Sequence, residues 1–150
     1  MARLREASAP ADVEAVRALF AEYARGVDEP CCFIDFEREL AALPRGYLML
    51  FLTHDNGLAA GCVGLREVDR STAEMKRLYV RAPFRGLGIG RALAEAAIGA
   101  ARAAGYARIV LDTLPKMSEA HALYRTLGFS EVAPYLARPT PGATCFQRTL

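Results

Sequence analysis

The densest chemistry in the chain lies at Arg85-Gly86-Leu87-Gly88-Ile89-Gly90-Arg91, with a glycine at every second position between two arginines. Glycines spaced this way leave backbone N–H groups uncovered, so that several can converge on one anion. A helix beginning just behind them adds about half a unit of positive charge at its N-terminus. The combination suits a phosphate or a pyrophosphate. Two common phosphate-binding patterns do not fit. The G-x-G-x-x-G fingerprint fails because Arg91 holds its sixth position, and no Gly-Lys-Ser/Thr follows as a Walker loop requires. A glycine-rich turn of this kind can also be purely structural, and alone it decides little.

Other candidate residues are scattered. Glu74 and Lys76 interrupt an otherwise strand-like stretch and share one face with Leu78 and Val80. Buried polar side chains in a central strand are costly unless they serve a site or a bulge breaks the alternation. His121 stands one helical turn before Tyr124 and either packs, meets solvent or faces the same site. His54, beside a turn, is expected at the surface, and Asp112 at a strand end can cap the helix that follows. Tyr124 itself reads as a core aromatic on an amphipathic helix or as a functional phenol.

The elements that must position these residues follow from the pattern. Arg3 to Ala7 reads as a short strand. Ser8 and Pro10 open a helix in which Val13, Val16, Phe20 and Tyr23 recur at helical spacing up to Gly26. Phe36, Leu40 and Leu43 make a second short helical stripe, ended by Pro44. Tyr47 to Thr53 is an apolar run of strand length. Asp55-Asn56-Gly57 is a strong hairpin turn, because Asn-Gly accepts the positive φ angles such a turn needs. Leu58 to Val68 should return antiparallel, its small residues Ala59, Ala60, Gly61 and Gly64 allowing close approach. Ser71-Thr72 turns the chain into a strand from Ala73 to Val80. Then come a helix from Gly86 to Ala104, a strand from Arg108 to Thr113 and a helix from Ser118 to Leu127. Two strands follow Phe129, separated by a loop holding Pro134, Pro139 and Pro141. The expected fold is α+β (mixed α/β), one domain over residues 1–150 around one twisted sheet.

Composition sets the limits. A chain of 150 residues can bury roughly 70% of its unfolded surface, and 53% of this one is hydrophobic. Lys+Arg number 19 against 17 Asp+Glu, a net charge of +2, too even to make nucleic acid or an anionic membrane the main partner. The arginines between Lys76 and Arg91 still allow a local basic patch, which suits a phosphorylated small molecule. Cys31, Cys32, Cys62 and Cys145 form no C-x-x-C pair and have no His at ligand spacing. They read as free thiols in a reducing cytoplasm, with no metal site. The first ten residues lack an apolar signal core, and no run approaches the roughly 20 apolar residues of a membrane span.

Two longer motifs sharpen the reading. Glu74-Met-Lys-Arg-Leu-Tyr-Val-Arg-Ala-Pro-Phe-Arg-Gly-Leu-Gly-Ile-Gly-Arg-Ala-Leu resembles the acetyl-CoA-binding core of the GCN5-related N-acetyltransferase (GNAT) superfamily. Its Arg/Gln-x-x-Gly-x-Gly/Ala signature is met by Arg85, Gly88 and Gly90. Downstream, Ala120-His-Ala-Leu123-Tyr124-Arg-Thr-Leu-Gly128-Phe129 resembles the family's second hallmark, a helix running into Leu-Tyr-x-x-x-Gly-Phe. The order and separation match, and the likeness covers about residues 58–130.

The resemblance implies a GNAT-like sheet of about seven mostly antiparallel strands flanked by about four helices. It implies direct transfer of acetyl from acetyl-CoA, a cosubstrate, to a primary amine of a small molecule or peptide. Leu78, Tyr79 and Val80 would offer backbone groups to the pantetheine arm, and the Leu78 N–H would polarise the acetyl carbonyl. Backbone amides of Arg85, Gly86, Leu87, Gly88, Ile89, Gly90 and Arg91 would hold the pyrophosphate. Tyr124 would protonate the departing thiolate, a role open to a phenol near pKa 10. Glu74, eleven residues before Arg85, has the spacing of the catalytic Glu in several histone acetyltransferases of the superfamily. An unperturbed carboxylate is a weak base for an ammonium, so a structural pairing with Lys76 or an arginine stands beside that role. Many members carry Asn seven residues before the tyrosine, where this chain has Met117.

The acceptor pocket of the superfamily is shaped by the first helices and the last loop. Here those hold Asp28, Glu29, Cys31, Cys32, Phe33, Asp35, Glu37 and Tyr135, acid beside aromatic groups, which suits a cationic amine. A non-catalytic acyl-CoA-binding module is the alternative. A homodimer is conceivable through strand edges near Cys145.

Overall fold

The computed structural model describes residues 2–27, 35–114, 118–136 and 141–150, with Ser118 by its backbone alone. Asp28, Glu29, Cys31, Cys32, Phe33 and Met117 lie outside the described residues. Among the described residues seven strands form one sheet: β1 (Ala2–Glu6), β2 (Met49–Asp55), β3 (Leu58–Asp69), β4 (Thr72–Val80), β5 (Arg108–Thr113), β6 (Ser130–Val132) and β7 (Thr144–Thr149). Their spatial order is β1-β2-β3-β4-β5-β7-β6. Only β4 and β5 run parallel, and the other neighbours are antiparallel. Among the described residues four α-helices accompany the sheet: α1 (Pro10–Val27), α2 (Phe36–Ala42), α3 (Ile89–Ala103) and α4 (Ser118–Thr126). The expected mixed α/β architecture is the one observed.

The helices cover opposite faces, as the strand alternation demands. In β2, Leu50 and Leu52 join Val16, Leu19 and Phe20 of α1, while Phe51 turns to the other side and joins Leu93, Ala97 and Ile98 of α3. The alanines of α3 let the helix lie close on the sheet: Ala94, Ala97 and Ala101 have no exposure. On β3, Gly64 leaves room for the Tyr47 ring, which a Cβ there would meet at 2.4 Å. That aromatic cap accounts for one of the small residues of β3.

Two boundaries differ from the sequence reading in an instructive way. Helix α3 begins at Ile89, three residues late, because Gly86 and Gly88 both take φ +80° and cannot be helical. Strand β4 is one regular strand only up to Lys76. Cys62 faces Tyr79 and Gly64 faces Lys76, so β4 carries one extra residue, and Arg77 there has φ +61°. The bulge shifts the phase of the strand. Ala73 and Met75 before it and Leu78 and Val80 after it all face the α3 side, which resolves the mixed polarity of this segment. A third expectation is corrected outright. β7, with buried Cys145, lies between β5 and β6, so the sheet edges are β1 and β6.

Candidate active site

Strands β4 and β5 pair only from Thr72–Arg108 to Glu74–Val110. Beyond that point they part, as parallel strands forced around a bulge on one side must. A cavity of about 780 Å³ fills the gap. Its walls are β4 from Met75 to Val80, Leu111 to Thr113 of β5 with Leu114 just after it, the start of α3, and Glu119, Ala120, Leu123 and Tyr124 of α4. Tyr23 at the end of α1 and Ala143 close it further.

The β4 wall presents backbone. Arg81 N–H donates to Ala60 C=O at 2.9 Å, so Arg81 turns toward β3. Successive residues alternate sideways, which points the N–H and C=O of Val80 and Leu78 toward the cavity. Arg85 Nε takes one of these groups, donating to Val80 C=O at 3.0 Å. Tyr79 faces the opposite side of the sheet, where its hydroxyl donates to Glu22 at 2.7 Å. Burial and Glu22 push that phenol up to about 12.

At the far end a short 3-10 turn, Ala82–Phe84, leads into the glycines. Gly88 caps α3 in the left-handed conformation and offers no side-chain oxygen. The first helical bond is Ala92 N–H to Gly88 C=O at 3.1 Å. Ile89, Gly90 and Arg91 therefore start a helix with N–H groups that have no acceptor inside it. Two positive-φ glycines and three uncapped amides beside the cavity fit an anionic phosphate ester. Arg91 bonds Glu95 at 3.0 Å and Thr126 at 3.2 Å, tying α3 to α4. Leu87 is 62% exposed and stands outside the wall.

Tyr124 is 7% exposed, packed edge-on against Phe129 with centroids 5.9 Å apart. Burial drives its phenol well above the ordinary range, and the negative Asp112 adds to the rise. Asp112 and Lys76 line the same cavity, and the sequence reading gave neither a role there. Only the parting of β4 and β5 brings them together, and no sequence spacing signals it.

Glu74 is fully buried but is absent from the cavity wall. Arg66 donates to its Oε1, and the Tyr135 hydroxyl donates to its Oε2 at 2.5 Å. The geometry is the arginine pairing that the sequence left open beside the catalytic role. Beside it, Arg77 and Glu39 form a two-bond pair at 2.9 and 3.0 Å, and Tyr47 donates to Glu39 at 2.9 Å. Burial alone would raise the Glu39 carboxyl, yet the Arg77 guanidinium holds it below its usual value. His121 stands off the cavity, its Nε2 3.1 Å from Leu114 C=O and its ring edge-on to Phe146. His54 is half-buried in β2, not exposed. Asp35 and Glu37 are exposed and outside the cavity wall.

A seven-stranded sheet split between one parallel pair, with an uncapped glycine turn at the split, gives one cleft that offers unpaired strand backbone along a wall and anion-binding amides at its end. The sequence model of the acetyltransferase (GNAT) family matches residues 13–129, and the chain belongs to that family. It is 35% identical over 138 residues to an uncharacterized N-acetyltransferase of Schizosaccharomyces pombe, covering 88% of this chain and 85% of that one. The fold matches an acetyltransferase from Streptococcus agalactiae at TM-score 0.82 and 20% identity, over 99% of this chain and 98% of that one. It also matches yncA of Salmonella typhimurium, solved with its cofactor acetyl-CoA, at TM-score 0.76 and 22% identity over 99% and 93%. The protein is therefore an acyltransferase. Among the described residues no helix is long and apolar enough to cross a membrane.

Proposed function

We propose that the chain transfers acetyl directly from acetyl-CoA to a primary amine of a small molecule or peptide, in the cytoplasm. The observation that carries this reading is the split between β4 and β5. Unpaired β4 backbone, the uncapped start of α3 and the Tyr124 phenol all border that one cavity.

Each group has a task that its chemistry suits. The pantetheine arm, which carries amide groups, pairs with Leu78 and Val80 as an added strand would. The amides from Gly86 to Arg91 hold the pyrophosphate, and Gly86 and Gly88 supply the turn geometry. Arg85 frames that path by fixing the Val80 carbonyl, while Leu87 offers its backbone amide alone, its side chain lying outside the cavity wall. The neutral amine attacks the thioester carbon, the Leu78 N–H stabilises the oxyanion, and the carbon–sulfur bond breaks. Tyr124 gives its proton to the departing thiolate and is restored by the second proton that the nitrogen sheds as the amide forms. Its raised pKa keeps it protonated until that moment.

Glu74 takes a positioning role: both its oxygens are engaged, and it fixes Arg66 and Tyr135 behind β4. The ammonium of the acceptor must still lose a proton. At pH 7.4 an alkylamine is only about one part in a thousand neutral, a deficit of roughly 4 kcal/mol. Asp112 and Glu119 are both carboxylates of the wall, and Asp112, whose charge acts on Tyr124, takes that proton in this reading.

The test is an assay of coenzyme A thiol release with acetyl-CoA and a panel of amines, read together with mass spectrometry of the amines. Stoichiometric N-acetylation supports the reading. Thiol release without any acetylated amine across small and peptide acceptors would refute it.

A further inference from the structure

One cation of the cavity wall has no bonded partner among the described residues. Lys76 lies half-buried on β4, just before the bulge, and borders the cavity. No hydrogen bond or ion pair joins its ammonium to a described residue, whereas both neighbouring arginines are paired, Arg66 with Glu74 and Arg77 with Glu39. Glu74, the acid next to it, already accepts a bond on each oxygen, from Arg66 and from Tyr135. Burial favours the neutral amine of Lys76, and the charges of Glu74 and Asp112 only partly oppose this. A cation in such surroundings gains most from an anion delivered into the cavity.

Position says which anion. The glycine turn follows the Val80 end of β4, and Lys76 lies at mid-strand, on the far side of Leu78 from that turn. A donor whose phosphates sit at the turn and whose thioester reaches Leu78 leaves Lys76 on the acceptor side. We propose that Lys76 is the subsite for a carboxylate on the acceptor, so that the enzyme acts on small aminocarboxylates rather than on polyamines. The inference rests on the acetyltransferase reading above and adds the acceptor class to it. Asp112, in the same wall, puts negative charge where the other end of such a zwitterion, its ammonium, arrives.

Matched acceptor pairs test it on the full chain: glycine against methylamine, β-alanine against ethylamine, lysine against cadaverine. Acetyl-CoA affinity is measured by calorimetry in the same samples. In wild-type protein at least one carboxylate member should exceed its partner in kcat/KM by about tenfold or more. Lys76→Met should collapse that ratio to within about twofold, chiefly through KM, and Lys76→Arg should keep most of it. A ratio at or below one in every pair overturns the subsite, as does a ratio that survives Lys76→Met. An equal fall in kcat for both members in Lys76→Met overturns it too, because the lysine would then be moving a proton. Wild-type protein that binds acetyl-CoA and acetylates amines without a carboxylate preference sinks the subsite alone. Wild-type protein that binds no acetyl-CoA sinks the donor reading and the subsite with it.

Discussion

Tyr124 and Glu74 were both candidates for chemistry in the sequence, and the structure gives them opposite surroundings. The Tyr124 phenol borders the cavity, and burial keeps it protonated beyond its ordinary pKa near 10. Tyr124→Phe should leave acetyl-CoA affinity within about twofold and lower kcat about a hundredfold or more. In the wild type, the rate should climb with pH as the amine loses its proton and should not fall again before about pH 10. A descending limb near pH 8 would contradict the assignment. Glu74 faces Arg66 directly across the β3–β4 hairpin. Glu74→Gln should therefore act on stability, costing about 2 kcal/mol because Arg66 loses its countercharge but is a third exposed and regains some water. Thermal melting should drop by about 4–8 °C, while the pH–rate profile keeps its shape. The Arg66 pairing was only partly within reach of the sequence: the turn sets Asp69 opposite Thr72, but a register shift between Glu67 and Asp69 is needed to bring Arg66 opposite Glu74. The Tyr135 contact was out of reach, being 61 residues distant along the chain.

At the scale of elements, two irregularities make the site: the bulge in β4 and the delayed start of α3. The sequence carried the second almost openly, through its alternating glycines. It carried the first only as a conflict of polarity around Lys76 and Arg77, which has no solution in a regular strand. Gly88→Val would force a β-branched residue into φ +80°, at a cost of about 2 kcal/mol. Acetyl-CoA binding should weaken by about tenfold or more, which calorimetry would register. The bulge is held by Arg77 gripping Glu39 of α2. Because the folded Glu39 carboxyl lies below its unfolded value, its contribution is fully present above the ordinary carboxylate range near pH 4.3 and is lost as pH falls through the folded value. Glu39→Gln should thus destabilise the protein at pH 7 by about 2–3 kcal/mol, and the gap from wild type should close in acid. Urea unfolding at pH 7 and pH 3 checks both halves. An equal gap at both would mean that the pair contributes nothing through charge.

Across the whole molecule, the alternation of helical and strand periods, read together with the two motifs, made the fold class legible. The strand order was less so. β7 enters between β5 and β6, so the segment at Cys145, which reads as an edge, is interior. Sequence order says little about which strands neighbour each other once the chain returns to the sheet from a long connection. The parting of β4 from β5 is likewise a property of the assembled sheet, and Lys76 and Asp112 meet the cavity only because of it. A donor seated there touches β4, α3 and α4 at once, so binding should stabilise the whole fold. At a hundredfold excess over Kd the gain is about 2.7 kcal/mol, worth about 5–10 °C in Tm.

The most direct measurement is calorimetric titration of the protein with acetyl-CoA at moderate salt. One site per chain with a Kd on the order of 1–100 μM is expected. Absence of saturable binding up to about 1 mM would contradict the assignment of the β4–β5 cavity as the site of the acetyl donor.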